Sequence, residues 1–70
     1  MNARLARIAR TLYCRDVPPD GKGLRVVRRG RMWILTGLPD GSIALPFGAA
    51  STAAEAVAQT EEWIESTRKD

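Results

Sequence analysis

The stretch Leu24–Gly37, LRVVRRGRMWILTG, decides the fold. Leu24 to Arg29 and Met32 to Gly37 are rich in Val, Ile, Leu and Trp, and Arg29, Gly30 and Arg31 lie between them as a tight turn in which Gly30 can take a positive φ. The pattern predicts a β-hairpin. Side chains alternate along a strand, so Leu24, Val26 and Arg28 point one way and Arg25, Val27 and Arg29 the other, while Trp33 and Leu35 oppose Met32, Ile34 and Thr36. One face must cover a helix. The other is left with arginines and an exposed aromatic or aliphatic row, and alternation alone leaves open which row that is.

Downstream, Leu38, Pro39, Asp40, Gly41 and Ser42 spell a second turn, with Pro39 fixing φ and Gly41 permitting a left-handed residue. Ile43 to Phe47 is expected as a third strand, at an edge because Pro46 has no N–H for the ladder. A helix over 51–67 follows, opened by a Thr52–Glu55 capping box. Its expected apolar stripe is Ala53, Ala54, Val57, Ala58 and Ile64, with Trp63 at the border seating the helix on the sheet. Glu55, Glu61, Glu62 and Glu65 are expected on the solvent side, and Arg68 and Lys69 at the negative end of the helix dipole.

Upstream, Pro18, Pro19, Asp20, Gly21 and Gly23 make 15–23 a loop. Before it, Leu5, Ile8, Ala9 and Leu12 recur at helical spacing beside Arg4, Arg7 and Arg10, a basic amphipathic helix or arm over 1–14. About ten residues are marginal as an isolated helix, so this one needs a surface for Leu5, Ile8 and Leu12, or an anionic partner for its arginines. The expectation is an α+β fold in one small domain over 1–70: an N-terminal helix, a three-stranded antiparallel sheet, and a C-terminal helix packed on one sheet face. The N-terminal helix is either a second layer or a separate arm.

A chain of 70 residues buries only about 60% of its unfolded surface, which argues against an enzyme with a deep pocket. Cys14 is the single cysteine and histidine is absent, which excludes an internal disulfide, the usual zinc spacings and histidine-dependent nucleophiles. Cys14 reads as a small buried apolar residue, and Asp16 and Asp20 as caps or solvated turns. No phosphate-binding glycine motif is present, so neither cofactor, metal nor catalytic residue is expected. Apolar runs are a few residues long, which predicts no membrane span and a cytoplasmic protein.

Charge is divided unevenly. Residues 1–31 hold nine of the eleven basic residues against two acids, and residues 32–70 hold two against six. Nearly all the bases are arginine, whose guanidinium grips phosphate in two-pronged fashion, and two-stranded ribbons fit the major groove of DNA. Arg25, Arg28, Arg29 and Arg31 on the hairpin, with Lys22, Arg4, Arg7 and Arg10, are therefore the candidate nucleic-acid contacts. The bland counterpart is that the basic half pairs with the acidic C-terminal helix of the same molecule.

The run Arg15-Asp16-Val17-Pro18-Pro19, a basic apolar strand, a Gly30 turn, an aromatic-bearing strand, a Pro-Asp-Gly turn, a third strand and an Ala-Glu-Ala-Val helix resembles the arm-type DNA-binding domain at the N-terminus of lambda-type tyrosine integrases. The resemblance spans about residues 15–65. It implies a sheet laid in the major groove of double-stranded DNA, with Arg25, Arg28, Arg29, Arg31 and the Met32 to Ile34 segment on the contacting surface and the helix from Thr52 as a brace. Two features depart from that pattern: the N-terminal segment looks helical, and Ile43 to Phe47 is apolar where the family tends to place polar contacts. No recombinase domain accompanies the module, which suggests an accessory or regulatory protein of a phage or mobile element. The competing expectation is a small inhibitor or adaptor that binds protein through the sheet edge and basic face, as a monomer or homodimer. Leu45 and Phe47 left uncovered would favour it.

Overall fold

The computed structural model describes residues 2–13, 16–39 and 41–68. Helix α1 (Asn2–Leu12) precedes strands β1 (Arg25–Arg29), β2 (Met32–Leu38) and β3 (Gly41–Ala44), and helix α2 (Ala53–Arg68) follows them. The fold is the expected α+β arrangement, an antiparallel sheet in the order β1-β2-β3 backed by helices. The expectations for Cys14 and Arg15, for Asp40 in the second turn and for Lys69 lie outside the described residues, as does the Arg68 side chain.

Gly30 and Arg31 link β1 to β2, with Arg29 opposite Met32 and Gly30 at φ +61°. A positive φ at the first central position matches the twist of the flanking strands and suits glycine there. Val26 faces Leu35, Arg28 faces Trp33, and Leu35 faces Ile43, which sets Leu24, Val26, Trp33, Leu35 and Ile43 on one sheet face. All five belong to the core or pack against it.

Both helices meet this face. Leu5, Ala6, Ile8 and Ala9 of α1 join Ala56, Val57 and Ile64 of α2 in the same apolar cluster, so α1 is a second layer and not a free arm. Burying Leu5 and Ile8 stabilises by about 1.5–3 kcal/mol each, enough to offset the cost of nucleating so short a helix. Val17, in the Pro-rich loop, and Ala50, ahead of α2, complete the core.

Three expectations are corrected. The third strand runs Gly41–Ala44 instead of Ile43 to Phe47, because Pro46 cannot donate to a ladder; pairing ends where the Leu45 N–H donates to the Trp33 carbonyl (2.8 Å). Leu38 and Gly41, both expected in the second turn, are instead paired residues of β2 and β3. A register shift between Leu35 and Leu38, at Gly37 with φ +93°, turns Leu38 into the core, where strict alternation would have put it outside.

The second correction concerns the face of α2. Its buried positions are Ala56, Val57, Thr60 and Ile64, whereas Ala54 and Ala58 are exposed and Trp63 is 44% exposed. Thr60 is accepted in the core because its Oγ1 donates to the Ala56 carbonyl (2.7 Å), leaving only a methyl to the apolar side. The third concerns Glu61, which is half-buried against α1 instead of lying on the solvent side; Glu65 stays exposed as expected while pairing with Arg7. At the start of α2, the Glu55 N–H donates to Thr52 Oγ1 (3.1 Å), so one arm of the capping box is formed; the Glu55 carboxylate accepts from Gln59 Nε2 (3.2 Å).

Candidate nucleic-acid interface

The sheet face turned away from the helices carries Arg25, Val27 and Arg29 from β1, Met32, Ile34 and Thr36 from β2, and Ala44 from β3. Ile34 is buried yet lies outside the core cluster, which marks it as the centre of this second face. Val27, Ile34 and Ala44 form one row across the three strands. Arg25 pairs with Thr36 on one side of that row and Arg29 with Met32 on the other.

Arg25, Arg29 and Arg31 are exposed, and none of them forms an ion pair among the described residues. None of the three strands contains an acidic residue. The face is thus a cationic surface with an apolar middle. Lys22 lies exposed in the loop before β1, where its backbone N–H donates to Asp20 Oδ1 (3.0 Å).

Arg28 is placed differently. It alternates to the helix side of β1, with its guanidinium 5.2 Å from the centre of the Trp33 ring. Its Nε donates to the Gly30 carbonyl (3.2 Å) and its Nη1 to the Ala50 carbonyl (3.3 Å). The same Ala50 oxygen accepts from buried Trp33 Nε1 (2.9 Å). Arg28 therefore ties the hairpin turn to the lead-in of α2, a cation–π and hydrogen-bonded brace beneath Arg29 and Arg31. Close beside it, a Cβ at Gly48 would overlap the Arg31 carbonyl, so only glycine lets these two segments touch.

The α1 arginines stand in the helical layer, on the other side of the sheet from Arg25 and Arg29. Arg4 binds the Glu61 carboxylate through both Nε and Nη2, and Arg7 Nη2 lies 3.0 Å from Glu65 Oε1. The hydrogen bonds from Arg4 hold the Glu61 carboxyl below its ordinary pKa, opposed by partial burial, and raise that of the Arg4 guanidinium. Two of the eight candidate cations are thereby engaged within the molecule. Arg10 is exposed and forms no ion pair among the described residues.

Sequence reasoning names Arg25 and Arg29 as contacts but not Val27 or Ala44, which share their face. Alternation gives Val27; Ala44 requires the register of β3, which the sequence pattern places two residues late. Leu45 is buried in the core and Phe47 is half-buried, so the uncovered third strand expected of a protein-binding module is not formed. Among the described residues no helix is long and apolar enough to cross a membrane. Comparison of the chain with protein-family models, curated proteins and solved structures gave no match.

Proposed function

We propose that the chain is a non-enzymatic module that binds double-stranded DNA through the open sheet face, with Arg25, Arg29 and Arg31 on phosphates. The observation that carries this reading is a face turned away from both helices, whose exposed arginines form no ion pair among the described residues and whose strands have no acid. A surface of one sign attracts a polyanion, and arginine matches phosphate geometry. The brace under the hairpin supports the same reading, because it fixes the turn before any partner arrives. The resemblance to arm-type integrase domains points the same way, toward an accessory or regulatory role at phage or mobile-element DNA.

Titration of a labelled duplex at several salt concentrations tests this. Three phosphate contacts give a slope of log K against log salt of about −2.7, and the double substitution of Arg25 and Arg29 by Gln reduces it to about −0.9. Absence of binding at low salt turns the assignment to the second reading, a protein partner. Met32, 50% exposed on the same face, is what favours that alternative.

A further inference from the structure

The middle of the open face has chemistry of its own. Between Arg25 and Arg29 stand Val27, Ile34 and Ala44 in one cross-strand row, with Met32 beside Ile34 and half-exposed. No hydrogen-bonding side chain occupies that row. Thr36, the polar neighbour, turns its Oγ1 toward the Arg25 carbonyl (3.4 Å). A surface of this kind cannot read the donor and acceptor atoms of base edges. It can read the one apolar group that the major groove presents, the C5 methyl of thymine.

The spacing agrees. Arg25 and Arg29 lie four residues apart on one strand, about 13–14 Å at the rise of an antiparallel strand, against a major groove about 12 Å wide. With a guanidinium at each wall, the Val27–Ile34–Ala44 row falls over the groove floor, and Met32, level with Arg29 across the strand pair, borders it on one side.

Resting on the DNA reading above, we propose that this row, with Met32, recognises thymine methyl groups, so that the module prefers thymine-bearing duplexes by apolar contact and not by base hydrogen bonding. The polar perimeter supplies affinity and the apolar centre supplies the preference. Val27, Met32 and Ala44 are the accessible contacts, and Ile34 holds them in register from below.

The probes are an alternating dA-dT duplex, the same duplex with deoxyuridine replacing thymidine, and a dG-dC duplex with and without 5-methylcytosine. The expected result is binding about fourfold weaker for each recognised methyl that deoxyuridine removes, with a matching increase in affinity when cytosine is methylated. The Val27→Ser, Met32→Gln variant should keep the salt slope and reduce both discriminations, with Ala44 left as the one remaining contact. If that variant unfolds by circular dichroism, Met32→Gln alone, at an exposed site, should reduce each of them. Equal affinity of the wild type for the thymidine and deoxyuridine duplexes overturns the inference while leaving the DNA reading in place. No binding to any of the four duplexes at low salt overturns both.

Discussion

Two tryptophans show how little composition says about a residue's work. Trp33 is buried, with its Nε1 on the Ala50 carbonyl and Arg28 over its ring, whereas Trp63 on α2 is 44% exposed. Trp33→Ala is expected to cost about 3–5 kcal/mol, most of the stability of so small a domain, and Trp63→Ala no more than about 1 kcal/mol. Urea denaturation followed by far-ultraviolet circular dichroism reads both. Arg28 and Arg31 divide similarly: Arg28→Ala should lower stability by about 1 kcal/mol by removing its stacking and two carbonyl hydrogen bonds. Arg31→Ala should leave stability unchanged and weaken duplex binding. Alternation made the two sheet faces legible, since it holds wherever a strand is regular. It gave no warning of Trp63, because on an alanine-rich helix the hydrophobic stripe is nearly featureless and Thr60, satisfied by its own helix, takes the buried place that a large ring was expected to fill.

Helix α1 is the element whose stability depends most on its neighbour. Its apolar side docks on the sheet and α2, and Arg4 and Arg7 reach across to Glu61 and Glu65. The Glu61 carboxyl titrates lower in the folded chain than in the unfolded one, so its pairing stabilises fully above the unfolded value of about 4.3 and is lost as pH falls through the lower native value. Helicity is therefore expected to fall on acidification below about pH 4, and Glu61→Gln should flatten that part of the profile; an unchanged profile would show that α1 is held by apolar contacts alone. The existence of α1 and α2 was readable from periodicity and capping residues. That α1 packs as a layer was not, because the docking surface is assembled from Leu24, Leu35 and Val57, which are distant in sequence. The limits of β3 escaped for a related reason: the Gly37 irregularity is a tertiary adjustment that no local pattern announces.

At the scale of the molecule, the basic front half and acidic back half are only partly complementary. Arg4 and Arg7 meet α2, while Arg25 and Arg29 on the open sheet face, Arg31 in the hairpin turn and Arg10 on α1 form no ion pair among the described residues, so the open face keeps its two strand arginines free of internal carboxylates. A ligand that binds only the native chain stabilises it: a duplex at a hundred times its dissociation constant should add about 2.7 kcal/mol. Melting curves with and without duplex measure this, and about 0.5 M salt should abolish the stabilisation; a shift that survives salt would mean contacts other than phosphate dominate. The pairings Arg4 to Glu61 and Arg7 to Glu65 also show that α1 and α2 point the same way. Because α2 starts beside the β1–β2 hairpin, at the Ala50 carbonyl, and extends about 24 Å at helical rise, its final turn sits at the remote pole of the molecule. A fluorophore or immobilisation tag grafted there would leave the cationic surface unobstructed, making that pole the natural handle for single-molecule or surface-capture assays.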